Sequence, residues 1–270
     1  MKKLLAIVIS MAMIVAMMPV GVFGTNTAAT VTTAEQLKEA LEQGGNVQLG
    51  TDIDISNSTN KVSVPAGKSA ILDLNGNTLT AANTVVGNIC VYGELTLEDS
   101  KGNGKILSKT EYDGSVNTTK TVINVDGNGK FTMESGEIYT SIDEDAENKG
   151  NFAIGVWADA EAVINGGKVT AGWFAVATNG SDGGRSHIIV NGGELISIAD
   201  YAIYAAQKQG SVQINGGTIY GYAGGIAMNG GNLEVNDGVI TSKGTGDTGT
   251  WGDGTGNLKN AAININAKYS

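Results

Sequence analysis

Ile164-Asn165-Gly166-Gly167 recurs as Val190-Asn191-Gly192-Gly193, as Ile214-Asn215-Gly216-Gly217 and, in degenerate form, as Val235-Asn236-Asp237-Gly238. A similar turn ends at Gly136, and from there to Gly238 successive turn glycines are 31, 26, 24 and 21 residues apart. A short apolar strand that ends in a glycine turn and recurs every few tens of residues is typical of a solenoid, in which each coil packs on the next. The unequal spacing indicates loops of varied length between constant strands.

Residues 212–229 show the pattern of one coil. Val212-Gln213-Ile214 alternates apolar, polar and apolar residues, which is the period of a strand with one buried face. Asn215-Gly216-Gly217 then turns the chain, since asparagine and glycine tolerate left-handed backbone angles. Two more short strands, Thr218-Ile219-Tyr220 and Ile226-Ala227-Met228, complete the coil. The sequence therefore predicts about seven coils whose strands pair with their equivalents as parallel ladders.

The two ends of the repeat differ. Residues 32–41 have a threonine cap, an acidic first turn and leucines four apart, and this pattern predicts a helix that ends near Gly44. Such a helix would cover the open end of the stack. Ala262-Ile263-Asn264-Ile265-Asn266 aligns with a third strand and has no cap after it, so the sequence predicts an uncapped C-terminal end.

The N-terminal residues have the features of a secretory signal. Lys2 and Lys3 precede an apolar run over 4–22, which predicts a signal peptide over 1–24. The alternative is an uncleaved membrane anchor, because the run is nearly long enough to span a bilayer. The predicted organisation is this signal, a linker and capping helix over 25–45, and a parallel β-helix over 46–270. We expect a secreted, extracellular protein, in the medium or at the cell surface, without a membrane span once the signal is cleaved.

The chain is acidic and almost free of cysteine. It has 17 basic and 27 acidic residues and a formal net charge of −10. This charge disfavours nucleic acid as a partner, and it disfavours polyuronates unless calcium bridges the two. Cys90 is the only cysteine, so no internal disulfide can form. Its neighbours Ile89 and Val91 predict a buried structural thiol in a strand.

The predicted helix, the segment Ile71-Leu72-Asp73-Leu74-Asn75-Gly76-Asn77-Thr78-Leu79 and the Asn-Gly-Gly coils together resemble the pectate-lyase-like right-handed parallel β-helix superfamily. The resemblance covers about residues 30–266 and is strongest to secreted or surface β-helix proteins of gut-dwelling Gram-positive bacteria. It implies an all-β, single-stranded, right-handed solenoid of three-strand coils with an N-terminal capping helix. Lyases, hydrolases and adhesins share this fold, so the resemblance implies no single activity.

The resemblance implies that a polysaccharide lyase of this fold class would need a basic residue beside carboxylates that hold calcium against a uronate. The candidates are Arg185, Asp182 and His187, all within residues 181–187, and the alternative is a solvated bend before a strand. A glycoside hydrolase would need neighbouring acid and base carboxylates, and no adjacent Asp-Asp pair lies on a predicted strand.

Two segments offer the oxygen ligands that calcium prefers. Asp143 and Asp145 lie in an acidic run, and Asp247 and Asp253 lie in a loop rich in glycine and aspartate. Both are metal candidates, and the alternative is that both are solvated loops. The sequence predicts no other cofactor.

The aromatic residues are the candidate ligand-binding groups. The coil alignment predicts that Trp157 and Tyr204 point outward from third strands, that Tyr139 and Tyr220 point outward from second strands, and that Trp173 and Trp251 lie in bends or loops. Exposed aromatic rings stack on sugar faces and anchor protein partners. The alternative is that they shield one another along the rod.

The turn asparagines are interpreted as structural. The alignment predicts that they superimpose and hydrogen-bond from coil to coil. The predicted members are Asn75, Asn165, Asn191, Asn215 and Asn236.

Three functions remain open from the sequence. The first is a non-catalytic secreted or surface protein that binds polysaccharide or cell-surface glycan and serves in adhesion. The second is a calcium-assisted lyase of uronate polymers. The third is a structural spacer within a larger surface protein.

Overall fold

A computed structural model describes residues 28–57, 61–82, 87–108, 120–140, 151–178, 183–243 and 261–265. The predicted signal peptide over 1–24 lies outside these residues.

The described chain forms three sheets, and every paired strand is parallel to its neighbours. The first sheet comprises β1 (Ala29–Val31), β2 (Gly45–Leu49), β5 (Ser69–Asp73), β8 (Glu94–Glu98), β11 (Lys130–Met133), β14 (Glu161–Ile164), β17 (His187–Val190), β20 (Ser211–Ile214) and β23 (Asn232–Val235). The second comprises β3 (Ile53–Asp54), β6 (Thr78–Ala81), β9 (Lys105–Ser108), β12 (Glu137–Thr140), β15 (Lys168–Ala171), β18 (Glu194–Ser197), β21 (Thr218–Gly221) and β24 (Val239–Ser242). The third comprises β4 (Val62–Val64), β7 (Ile89–Val91), β10 (Lys120–Val125), β13 (Asn151–Val156), β16 (Val176–Thr178), β19 (Tyr201–Ala205), β22 (Gly224–Met228) and β25 (Ile263–Ile265).

Each coil contributes one strand to each sheet. From β2 to β25 the described residues form eight coils, one more than the glycine turns alone predict. The predicted fold is confirmed: the protein is a right-handed parallel β-helix, and its one described helix lies at the N-terminal end.

The core runs along the inside of the rod. Ala162, Ile188 and Val212 stack in register across three coils of the first sheet, and each is at most 1% exposed. The alternation read from the sequence therefore assigns the inner face of this sheet correctly.

The turns between the first and second sheets depend on a column of glycines. Gly136, Gly167, Gly193, Gly217 and Gly238 all have positive φ, between 79° and 114°. A Cβ atom on Gly193 would lie 2.7 Å from the carbonyl oxygen of Gly167 in the coil below. Glycine is required there by the backbone angle and also by the close approach of the neighbouring turn.

The N-terminal end is closed by helix α1 (Ala34–Gln43). The Thr33 side chain accepts a hydrogen bond from the Gln36 amide, and the Gln36 side chain accepts one from the Thr32 amide, which completes a cap at the helix start. Leu37 and Leu41 are fully buried in the core of the rod. Strand β1 lies in a region that the sequence assigns to linker, and it pairs with β2 just beyond the helix.

The other end of the described rod is bare. Val235 is 45% exposed and Ile265 is 72% exposed, whereas Ile214 and Met228, their partners one coil earlier, are at most 3% exposed. These inward-facing side chains are exposed because no described coil follows them.

Within the described ranges, no helix has the length and apolar character needed to cross a membrane.

Candidate functional site

The outer face of the third sheet carries a cluster of aromatic rings. Asn124, Gly155, Ala177 and Tyr204 occupy one outward column in four successive coils. Rings from the strands and turns beside this column pack over its small residues. We define five residues as the aromatic band: Phe152, Trp157, Trp173, Phe174 and Tyr204.

The rings of the band are in direct contact. Phe174 stacks on Trp173 with ring centroids 4.6 Å apart and on Tyr204 with centroids 4.9 Å apart. Phe152 tilts against Phe174 at 4.9 Å and against Trp173 at 5.4 Å. Trp157 closes the cluster at 6.4 Å from Phe152. Such contacts fix the rings in one arrangement before any ligand arrives.

The band has a buried base and an exposed surface. Phe152 is 5% exposed and Phe174 is 1% exposed. Trp157, Trp173 and Tyr204 are only half-buried, so part of each ring faces solvent.

The polar edges of the three half-buried rings have partners. The indole N–H of Trp157 donates to Asn124 Oδ1 at 2.5 Å, and that of Trp173 donates to Asp200 Oδ2 at 2.5 Å. The Asn229 side-chain amide donates to Tyr204 Oη at 2.9 Å. These hydrogen bonds orient the rings and place an amide or a carboxylate at the edge of each.

Gly155 makes room for one of these rings. A Cβ atom on Gly155 would collide with the Trp157 indole, which folds back over the outer face of strand β13. The Gly155-Val156-Trp157 spacing was the sequence signal for this arrangement, and the coil alignment did not use it.

The predicted aromatic candidates divide into separate groups. Trp157, Trp173 and Tyr204 come together in the band, whose base of Phe152 and Phe174 was not predicted. Tyr139 and Tyr220 lie on the second sheet, three coils apart and thus about 14 Å from each other. Trp251 lies outside the described residues.

Arg185 is paired and is poorly suited to act as a base. Its Nη2 lies 3.2 Å from Asp159 Oδ2, and its backbone N–H donates to Asp159 Oδ1 at 3.0 Å. The side-chain hydrogen bond and the charge of Asp159 raise the pKa of Arg185 and lower the pKa of the carboxyl. The pair thus favours the protonated guanidinium, the form that cannot accept a proton.

His187, the second basic candidate, is exposed at the start of strand β17, and its Nδ1 lies 2.7 Å from Ser211 Oγ in the next coil. Asp182 lies outside the described residues. Within the described residues, His187 pairs in register with Glu161 of the preceding coil.

The four predicted metal ligands, Asp143, Asp145, Asp247 and Asp253, also lie outside the described residues. Elsewhere, in the part of the chain that the structure describes, no three His, Cys, Asp or Glu side chains are grouped closely enough to hold a metal ion.

The turn asparagines form a hydrogen-bonded ladder on the rod surface. The side-chain amide of Asn191 donates to Asn165, that of Asn215 donates to Asn191, and that of Asn236 donates to Asn215, at 2.7 to 2.9 Å. Asn165 in turn donates to Glu134 Oε1 at 2.8 Å. Each asparagine follows the last inward residue of its strand.

The prediction that Asn75 belongs to this ladder is wrong. Asp73, not Asn75, occupies the equivalent position, since Leu72 pairs with Leu97. Asn75 lies two residues further on, at φ 51°, and its side-chain amide donates to the carbonyl of Leu49 at 2.9 Å. The connection between β5 and β6 displaced the alignment, because five residues separate Leu72 from Thr78, whereas three separate the equivalent Ile164 and Lys168 of the Asn-Gly-Gly turns.

Carboxylates occupy the same column in the earlier coils. Burial acts to raise the pKa of Asp73, but hydrogen bonds from Ser100, Gln48 and Asn75 outweigh it, and the net pKa is lowered. The pKa of Glu98 is raised, first by burial and then by the charges of Asp73 and Glu134 on either side. Glu98 is therefore the carboxylate of this column whose charged form is disfavoured by its surroundings.

Cys90 lies in the outward column of the third sheet, beside Asn124, and it is buried. Burial is the main cause of its raised pKa, which keeps the thiol protonated. These features match the structural thiol expected from the sequence.

Comparison with known protein families, with curated proteins and with solved structures gives no match to this chain. The fold by itself defines the class of protein, a right-handed parallel β-helix, and the aromatic band is its candidate site.

Proposed function

We propose that this chain is a glycan-binding member of the pectate-lyase-like superfamily, secreted or held at the cell surface, which binds polysaccharide through the aromatic band without cleaving it. The observation that carries the proposal is the fixed group of half-buried Trp157, Trp173 and Tyr204 rings on a buried phenylalanine base. The superfamily, the location and the ligand are all parts of this proposal.

Sugar rings suit the chemistry of the band. A pyranose has an apolar C–H face that packs on an aromatic ring and hydroxyl groups around its edge that need hydrogen-bond partners. The half-buried Asp200 offers a carboxylate at the edge of the Trp173 ring. Asn124 and Asn229 are 4% and 8% exposed and hold the Trp157 and Tyr204 rings in place. Apolar surface and polar edges therefore occur together.

The length of the band favours a polymer over a single sugar. Its residues come from three successive coils, those of β13, β16 and β19, and coils of this fold are about 4.8 Å apart. A glycan chain lying along the rod would contact several rings at once. The ordered rings lose little conformational freedom on binding, which favours affinity.

The charge of the protein favours a neutral glycan. The net charge of −10 repels polyuronates, and Asp200, which accepts a hydrogen bond from Trp173 of the band, is acidic. A lyase would also need an unprotonated base, and the raised pKa of Arg185 argues against that residue. We therefore expect binding to a neutral polysaccharide and no cleavage of it.

Retention on a panel of immobilised polysaccharides tests the proposal. The panel holds neutral polymers and pectins, with and without calcium, and new reducing ends are measured in each eluate. We expect retention on at least one neutral polymer and no new reducing ends, with heat-unfolded protein as the control. Retention on none of them would overturn the binding proposal, and new reducing ends would replace it with an enzymatic function.

A further inference from the structure

Trp157 reaches the aromatic band from a turn with an unusual backbone conformation. Its indole folds back over Gly155 of the same strand, where a Cβ atom would lie 2.4 Å from Cζ2 of the ring. The next residue, Ala158, has a φ of 54°, in the left-handed region that residues with a side chain rarely adopt. Such a conformation persists only where the surrounding structure holds it. The contacts around this turn therefore decide where the ring lies.

The following coil holds this turn through a buried serine. Ser186 is 0% exposed, and its hydroxyl donates to the carbonyl oxygens of Val156 and Ala158, at 3.0 Å and 3.2 Å. The backbone N–H of Arg185 donates to the same Ala158 oxygen at 2.8 Å. Because Val156 and Ala158 are the neighbours of Trp157 in the sequence, the serine fastens the backbone on both sides of the ring.

A buried glutamine from one coil further on holds the serine in turn. Gln207 is 1% exposed, and its Oε1 accepts a hydrogen bond from the Ser186 backbone N–H at 2.5 Å. Its Nε2 donates to the Ala158 carbonyl oxygen at 3.5 Å. Buried side chains thus join the turns between the third and first sheets in three successive coils. A buried polar network with its partners in place favours one arrangement of the chain.

We propose that Ser186 and Gln207 are positioning residues for glycan binding, which hold Trp157 in its place before the polysaccharide arrives. The inference rests on the proposed function of the aromatic band, and it adds two residues that act through Trp157, since both side chains are buried. A ring that is already held in its bound position loses little freedom on binding. Where only a fraction of the molecules hold the ring there, the apparent affinity falls by that fraction.

A second ring of the band is fastened in the same way. Ser197, from the coil after Trp173, is 0% exposed, and its hydroxyl donates to the Trp173 carbonyl oxygen. The backbone N–H of Asp200 donates to the Ser197 hydroxyl at 2.9 Å, and the Asp200 carboxylate accepts the indole N–H of Trp173. In both cases a fully buried serine of the following coil fixes the backbone beside a ring. The recurrence at Trp173 supports a positioning role for Ser186.

Fluorine NMR of the full chain labelled with 5-fluorotryptophan tests the proposal without a ligand. The chain has three tryptophans, and Trp157→Phe and Trp173→Phe identify two of the resonances. Ser186→Ala removes the hydroxyl and keeps the Ser186 N–H that Gln207 accepts. We expect the Trp157 resonance to shift and broaden, because the ring samples more than one position, and the Trp173 resonance to stay unchanged. An unchanged Trp157 resonance would overturn the proposal.

Retention on the neutral polysaccharide that holds the wild type is the second readout. Ser186→Ala should lower the affinity about threefold or more while circular dichroism shows a folded rod. Ser135→Ala is the matched control, because Ser135 Oγ accepts a hydrogen bond from the Asp99 N–H of the preceding coil at 2.7 Å, in a turn between the first and second sheets. The control should be retained like the wild type. Equal loss of affinity in the two variants would overturn the positioning role, since general stability would then explain both.

A second variant guards against misfolding of the first. Gln207→Met keeps the length of the side chain but removes its amide, so it must move the same Trp157 resonance. The two proposals fail in different ways. A wild type that no polysaccharide retains would overturn the proposed function, whereas a retained wild type whose Trp157 resonance neither variant changes would overturn the positioning role alone.

Discussion

At the scale of single residues, backbone angles and close contacts at the turns decide whether coils can stack. Gly193 combines a φ of 79° with a neighbouring carbonyl 2.7 Å from its would-be Cβ atom. Gly127 has a similar φ of 69° but open space around it. Substitutions at these two positions therefore separate the cost of backbone strain from the cost of the steric collision.

Gly193→Ala should therefore destabilise the protein by about 2–4 kcal/mol, because strain and collision add. Gly127→Ala should cost only about 1 kcal/mol, from strain alone. Chemical denaturation followed by circular dichroism measures both. Equal losses at the two positions would show that the stacking contact contributes nothing.

Glu98 gives a prediction about pH. Its pKa in the folded protein is raised above the ordinary value of 4.5, so folding favours the protonated carboxyl, and the stability linked to it is lost as pH rises through the folded pKa. Glu98→Gln should thus raise the free energy of unfolding near pH 7, by at most about 1 kcal/mol since the group is partly solvated. The gain should vanish below pH 4.5.

Asp73 makes stability depend on pH in the opposite direction. Its lowered pKa contributes stability above the ordinary value of 3.8, and this stability is lost as pH falls through the folded pKa. Thermal melting of wild type and Glu98→Gln across pH 3 to 8 measures these effects, with the exposed helix residue change Glu39→Gln as control. A lower melting temperature for Glu98→Gln at neutral pH would contradict the interpretation of this column.

At the scale of elements, helix α1 determines the stability of one end of the rod. Leu37 is fully buried, so Leu37→Ala should cost about 2–5 kcal/mol by leaving a cavity. Coils of a solenoid contact mainly their neighbours, so the loss should appear as early unfolding of the N-terminal coils. Hydrogen exchange measures this directly.

Glu39→Ala on the exposed side of the same helix is the control for Leu37→Ala, and it should change stability by no more than about 0.5 kcal/mol. Uniform loss of protection along the whole rod in Leu37→Ala would contradict the local effect.

The elements were predictable from the sequence where local rules decide them. Period-two alternation gave the inner face of the first sheet, and Thr33 with the leucines gave α1. Strand β1 was not predicted, because three residues without a turn signal look like linker. Asn75 was misaligned because its turn is two residues longer than the Asn-Gly-Gly turns.

The candidate site was less predictable than the fold. Trp157, Trp173 and Tyr204 were identified as aromatic candidates, but a coil alignment does not say which rings touch. Contact between Trp173 and Phe174 depends on a turn, and the position of Trp157 depends on the absence of a side chain at Gly155. Both are properties of the folded chain.

At the scale of the whole molecule, the capping helix and the aromatic band lie on different parts of the rod. Helix α1 closes one end, and the third sheet presents the aromatic band on the side of the rod.

Binding through the aromatic band is tested most directly by the retention of Trp157→Ala combined with Tyr204→Ala on the neutral polysaccharide that holds the wild type. The matched control combines Tyr139→Ala with Tyr220→Ala, two half-buried rings on the second sheet. We expect the first variant to be folded but no longer retained, because the stacking surface is gone, and the control to be retained like the wild type. Undiminished retention of the first variant, or equal loss in both, would contradict the aromatic band as the binding site.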